Sequence, residues 1–413
     1  MVLHDRAAET TGTDASPLRP PFPKAGHPLI PAVIVALATA AFALLRLAVV
    51  GHGRIERFFM AGSKFVNPAR VPKGLPIVPG NGYDGQFFYR LGLDPANVHV
   101  TAFGITMYPL FRLQRIGYPV LAWAASLGHH SWVPVTLVVV NGLALAAVAY
   151  LGGLAARQAG RHPLWGLLLA GYFGFVFSVG RDTAEPVEAA LLVAGLLAYR
   201  RRRPVLAGVL LAGGSLTRET VLVAVGALAL TRLYEMVRGR ARPGREEAAW
   251  IIPPVAFVAW QVVVRTVIGH FPLTSDANHN LTAPFDGLYH GIKGHLSVIW
   301  RAPLSGGTLT DWLWVAQVLA LGALVVVAFR SIRSTEAPVH ERVALVAYVL
   351  ELCVLSGSIW EGVVDLRSLD EVYVLAVLLL IALPRRAARV LPAAALWLSP
   401  VVALVVVQRI LTL

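Results

Sequence analysis

Cysteine is nearly missing: Cys353 stands alone in 413 residues. No intrachain disulfide is possible, and no cysteine-based metal site can be built. Charge is scarce too, at 14% of residues against roughly 25% in a soluble domain. That deficit excludes a water-soluble fold of this length. No GxxxxGK[ST], GxGxxG, HExxH or GxSxG pattern stands in a suitable context, which leaves a nucleotide without a cradle and argues against an ATP-driven machine.

What is abundant is apolar sequence. Hydrophobic residues make up 56% of the chain, and the mean hydropathy is +0.65. Several apolar runs reach about 18 to 22 residues, enough to cross a hydrocarbon core of roughly 30 Å as helix. Helices satisfy their own backbone in lipid, so the expectation is an all-α polytopic membrane protein. The net charge of +13 sits mostly in short loops between apolar runs. That is the positive-inside pattern and not a nucleic-acid footprint, so no nucleic-acid partner is expected.

Residues 1–27 are polar and proline-containing and read as a disordered cytoplasmic tail. The rest, 28–410, reads as a single transmembrane domain. The first run, about 28–50, has neither a short basic flank nor an A-x-A site, so it reads as a retained signal anchor. Further spans are expected at about 133–156, 163–180, 183–199, 204–236, 249–269, 312–330, 341–358, 371–383 and 390–410. The 204–236 run is too long for one crossing at 1.5 Å per residue. Gly213, Gly214 and Ser215 break it, so it divides into a helical hairpin with SLTRET at its turn. Residues 109–128 are interrupted by Arg112, Arg115 and Pro119 and read as a juxtamembrane or re-entrant helix. The total is about eleven crossings.

With that count, five arginine-bearing loops fall on one side, which the charge rule makes cytoplasmic. They contain Arg157 and Arg161; Arg200 to Arg203; Arg232 to Arg245; Arg330 to Arg342; and Arg385, Arg386 and Arg389. The long segment 51–131, a second one at 270–311, and the turns near 181–186, 215–220 and 359–370 then share the outer side. Most of the misplaced ionisable groups lie there, Asp84, Asp182, Glu185, Arg218, Asp276 and Arg367 among them. Charges at membrane depth line cavities or pair with one another.

Asp84 opens the argument about chemistry. It stands in NGYDGQFFYRLGLDP, with Tyr83, Gln86 and Tyr89 as neighbours that touch substrate or support the site. Gly85 gives backbone room for a ligand, and the aromatic walls push the carboxyl toward a base's range. The competing reading is a plain Asp-Gly turn. In GSLTRETVL, Arg218 suits a phosphate oxygen and Glu219 holds the guanidinium, or the two form a salt bridge that closes the hairpin. In GRDTAEPVE, Asp182, Glu185 and Glu188 face one way if helical, either as helix-capping acids or as hard oxygen ligands for a divalent metal. Arg115 and Tyr118 in RIGYP, and Arg367 in VDLRSLDEVY, complete the set; either arginine binds phosphate or snorkels to the interface.

These stretches resemble a family, the integral-membrane C-type glycosyltransferases. YDGQFFYRLGLDP is similar to the acid-bearing aromatic motif in the first outer loop of the mannosyltransferases that build lipid anchors from polyprenyl- or dolichyl-phosphate sugars. RIGYPVLAW resembles the Tyr-Pro segment after it, and GSLTRETVL a Leu-Thr-Arg motif on a later hairpin. The resemblance spans about the first 240 residues. It implies a multi-pass enzyme of the cytoplasmic membrane with an extracytoplasmic active site. Asp84 would be general base in an inverting transfer, and Arg218, helped by Arg115 and Arg367, would bind the donor phosphate. The partners would be a polyprenyl-phosphate-linked sugar, a glycan or lipid acceptor, and membrane lipids. No cofactor is implied: Asp84 has no adjacent acid, so a divalent metal is not expected. The alternatives are a transporter or flippase of a lipid-linked sugar or anionic lipid, and a non-catalytic scaffold in envelope assembly.

Overall fold

The computed structural model describes residues 26–275, 280–303, 305–384 and 389–412. Most of the expected tail, as well as Asp276, Arg385 and Arg386, lies outside the described residues. The described protein is all-helical apart from two two-stranded ribbons of two residues per strand.

The helices follow in chain order. α1 is Leu29–Val49, α2 Gly85–Leu93, α3 Gly117–Ala125, α4 Val133–Gln158, α5 Gly166–Ala170 and α6 Phe173–Arg181. Then come α7 Glu185–Arg200, α8 Pro204–Thr217, α9 Val221–Val237, α10 Ala248–Ile268 and α11 Pro272–Ser275. The last are α12 Asp286–Arg301, α13 Leu309–Arg330, α14 Val339–Val354, α15 Gly357–Trp360, α16 Asp370–Ile381 and α17 Val390–Leu411.

Five segments are long and apolar enough to cross a membrane: α1, α10, α13, α17, and α4 with the short turn before it. The α5–α6 pair is a sixth if its 63° bend is counted as one broken span. The protein is therefore a multi-pass membrane protein with five or six candidate spans. The other expected crossings are short: α7 has 16 residues, α8 14, α9 17, α14 16 and α16 12, against the ~20 a straight crossing needs. The 204–236 run divides into α8 and α9, but Gly213, Gly214 and Ser215 lie within α8 and the break falls later, at residues 218–220. The 109–128 stretch yields a 3₁₀ turn at Leu110–Gln114 and the nine-residue α3, too short to cross at 1.5 Å per residue.

α16 is the axis of the bundle. All its residues are buried, and it packs against α4, α5, α7, α13, α14 and α17. A helix apolar on every side demands such a position. Outside it, α8 lies between α7 and α10, α9 pairs with α14, and α1 with α4.

Residues 51–131 form a folded cap and not an open loop. Phe59, Phe87, Phe88, Tyr89, Met107 and Tyr118 share a second core there. Tyr118 donates to the Leu137 carbonyl at 2.9 Å, and Asn141 of α4 donates to the Tyr118 hydroxyl and to the Thr183 carbonyl. Those bonds fix the cap onto α4 and onto the α6–α7 junction.

The two ends of the bundle differ in charge. The Arg161 guanidinium donates to the Ile381 and Leu383 carbonyls, and the Glu336 amide donates to Ala382. Arg200 grips Glu341, and Arg200, Arg202, Arg232 and His340 line one cavity. The first four arginine loops and the C-terminal end of α16 therefore gather at one end. The cap and the turns near 181–186, 215–220 and 359–370 gather at the other.

Candidate functional site

Asp84 immediately precedes α2, and its carboxylate caps no backbone amide. Instead it accepts from Arg112 at 2.5 Å and from Arg367 at 2.7 Å. Arg112 comes from the 3₁₀ turn in the cap, and Arg367 from the 3₁₀ turn Asp365–Leu369 leading into α16. Arg367 also reaches Glu185 at 3.4 Å and lies over the Tyr83 ring at 5.0 Å. Tyr83 donates to Asp365 at 3.1 Å. Glu185 in turn accepts from Ser178 and Thr183.

Two expectations change here. Gly85 does not leave room for a ligand. A side chain at that position would meet the Arg181 carbonyl at 2.2 Å, so glycine is required for the cap to seat on the end of α6. The Asp84 carboxyl is also not raised toward a base's range. Burial pushes it up, but Arg112 and Arg367 outweigh that and hold it below the usual carboxylate range. Its neighbour Asp365 goes the other way: burial lifts it, and the Arg367 charge only partly offsets this.

A second set of pairs lies beside the first. Glu219 does not hold Arg218, as expected from their adjacency. It takes a bidentate grip from Arg115, at 2.9 and 2.6 Å. Burial raises the Glu219 carboxyl, but Arg115 draws it down to about 2. Arg218 turns the opposite way, reaching Asp370 at 2.7 Å and Glu371 at 3.4 Å, with Ser368 carbonyl also at 3.4 Å. Successive residues of an extended turn point apart, which separates the neighbours. The turn is pinned by Tyr348, whose hydroxyl donates to the Thr220 carbonyl at 2.9 Å. Arg115, Arg218, Glu219 and Glu371, with apolar walls from Phe111 and Leu352, enclose a cavity of about 220 Å³.

The 365–371 segment thus joins Asp84 to Arg218: Arg367 holds the first, Asp370 the second. Asp84, Tyr83, Glu185 and Arg367 form one cluster and Arg115, Arg218 and Glu219 a second beside it, both at the same end of the bundle; only the second lines the cavity. Four residues stand apart from both. Gln86 donates to Asn81 and accepts from the Gly62 amide, bracing the cap. Tyr89 stacks on Phe59 at 4.2 Å. Tyr118 is fully buried. Asp182 sits in a left-handed turn ending α6, so it does not share a helical face with Glu185 and Glu188. Its carboxylate oxygens have no hydrogen-bond partner among the described residues.

Arg112 was legible only as a stray charge three residues before Arg115. Asp365, Asp370 and Glu371 stood in the same outer stretch as Arg367, with nothing local to rank them. A buried group of acids forms from Glu188, Asp370 and Glu371, which replaces the expected acid trio. Arg218 already pairs with two of these acids, Asp370 and Glu371, so a divalent cation there would face a guanidinium. The chain matches no family model and no curated protein.

Proposed function

We propose that the chain is a membrane glycosyltransferase that moves a sugar from a polyprenyl-phosphate donor to a glycan or lipid acceptor outside the cytoplasmic membrane, with inversion. The observation that carries this reading is the Asp84 carboxylate clamped by Arg112 and Arg367 beside the cavity of Arg115 and Arg218. Such a site offers one base and several guanidiniums at the end of the bundle opposite the arginine loops. The resemblance of YDGQFFYRLGLDP and GSLTRETVL to the C-type glycosyltransferases supports the same reading.

In this reading eleven segments cross. The short helices connect the two ends: α7 starts beside Arg367 and ends at Glu341, and the Asp365–Leu369 turn lengthens α16. The arginine end is cytoplasmic by the charge rule, and the Asp84 end faces out.

The acceptor hydroxyl attacks the anomeric carbon while Asp84 takes its proton. The bond from that carbon to the phosphate oxygen breaks, and polyprenyl phosphate leaves carrying the electron pair. Guanidiniums stabilise the charge that grows on it. A clamped carboxylate is ionised but weakly basic. A donor phosphate that draws Arg112 or Arg367 to itself frees Asp84 and raises its proton affinity, so donor binds before acceptor. Arg115 is the better first contact for phosphate, since its side chain is 15% exposed against 5% for Arg218. Arg218 then fixes the cavity floor through Asp370.

The test is purified protein with a panel of polyprenyl-phosphate hexoses and pentoses. Transfer or slow hydrolysis in wild type but not in Asp84→Asn supports the reading. The bent α5–α6 pair is a discontinuous helix of the kind transporters use. Movement of the lipid between leaflets with its sugar bond intact would therefore favour a flippase.

A further inference from the structure

The arginine end of the bundle holds a second candidate site, unconnected with Asp84. Two cavities of about 240 and 600 Å³ adjoin there and share Arg202, Pro204 and Glu246. α7 ends on a Schellman turn: the Arg203 amide bonds the Ala198 carbonyl, and the Arg202 amide bonds Tyr199. The left-handed position of such a turn favours glycine. Here it is Arg202, at φ +58°, so a strained backbone aims a long cationic side chain at the cavity mouth. Pro204 then starts α8. Gly208 lets α8 approach α10 until a side chain there would meet the Ala248 carbonyl at 2.3 Å. That approach brings Arg245, just before α10, alongside Arg203.

The acids nearby are already engaged. Arg232 reaches Glu235, Glu246 and Glu247 at 3.2 to 3.5 Å, and Arg200 holds Glu341. The exposed guanidiniums of Arg202, Arg203 and Arg245 have no partner among the described residues. Directly beyond them, the outer face of α8 shows Val205, Leu206 and Val209 at 54%, 44% and 56% exposure. Unpaired cations at the head of an exposed aliphatic stripe match a lipid with an anionic headgroup.

We propose that Arg202, Arg203 and Arg245 bind the phosphate of an anionic glycerophospholipid whose acyl chain lies along Val205 and Val209 of α8. The diester supplies the anion and the chain supplies the apolar area. Free phosphate offers only the first.

Native mass spectrometry of the detergent-purified full chain tests this with phosphatidylglycerol and phosphatidylcholine. Wild type should retain phosphatidylglycerol at least about tenfold better, as three surface arginines warrant. Arg202→Ala/Arg203→Ala/Arg245→Ala should fall to the phosphatidylcholine level. Arg238→Ala/Arg240→Ala/Arg242→Ala removes the same charge from the earlier part of the α9–α10 connection, outside the cleft, and should retain phosphatidylglycerol. Equal retention of the two lipids by wild type overturns the proposal, as does equal loss in both triple variants. Displacement of the lipid by millimolar inorganic phosphate would assign the cleft to a soluble anion and overturn the lipid assignment.

Discussion

At the scale of single residues, Asp84 carries the heaviest expectation. Its partners lie 28 and 283 positions away, so nothing local in the sequence announces them. The Asp-Gly dipeptide did mark the place, but for a different reason than ligand access. Asp84→Asn keeps the shape and removes the charge, so transfer should fall by about 10²- to 10⁴-fold, the usual worth of a positioned base. The assay is turnover of lipid-linked sugar by protein that still elutes as one species; near-normal turnover would remove Asp84 from the chemistry. Glu219 supports a pH prediction with a definite sign. Its folded pKa, about 2, is depressed below its ordinary value of 4.5. The Arg115 pair therefore stabilises fully above pH ~4.5, and its contribution fades as pH falls toward 2. Glu219→Gln should lower the unfolding midpoint in detergent at pH 7, at a cost of roughly 2 kcal/mol for this partly exposed pair. The gap to wild type should narrow at pH 3. An equal gap at both pH values would show that charge is not the cause.

At the scale of elements, helix positions were readable because each apolar run has a sharp polar end. Expected 133–156 became Val133–Gln158, and 390–410 became Val390–Leu411. Gly213 and Gly214 were misleading as a break, since α8 runs through both and ends only at Thr217. The break between α5 and α6 was not readable, since Gly171 and Tyr172 interrupt no hydrophobic run. Its cause is tertiary: the Tyr172 hydroxyl bonds the Leu366 carbonyl, which pulls the chain toward the 365–371 turn. The ribbons of the cap were also unreadable, at two residues per strand. How elements dock depends on close approaches that sequence alone does not reveal. Gly117 of α3 is one; a side chain there would meet Thr217 Oγ1 at 2.3 Å and the Thr217 amide at 2.9 Å. Gly117→Ala should push α3 off the end of α8 and shift Arg115 away from Glu219, costing about 1–3 kcal/mol as overpacking does. Thermal unfolding measures the cost. Gly226→Ala, where nothing lies within 4 Å, is the control and should be neutral or slightly stabilising.

At the scale of the whole molecule, charge is separated between the two ends of the bundle. Four loops rich in arginine meet at one end with the C-terminal end of α16, while the carboxylate–guanidinium cluster occupies the other. Loop charge made the first gathering readable in advance. The second was readable only as an excess of stray ionisable groups, because most of its pairs join segments more than a hundred residues apart. The bundle resolves the short helices in the same terms: a 12-residue α16 reaches both ends only with the turn before it, and its total burial needs no lipid contact. If eleven segments cross, the cap and the arginine loops must lie on opposite faces of the membrane. Cys353, the single native thiol, is replaced by Ala, and one cysteine is then introduced at Ser63 in the cap or at Arg240 after α9, both exposed. An impermeant maleimide added to intact cells should label the Ser63→Cys protein and spare the Arg240→Cys protein until the membrane is opened. Labelling of both from outside would mean an even number of crossings between them. The Asp84 site and the arginine end would then share one face, and neither the outward-facing transferase nor the charge-rule orientation would stand.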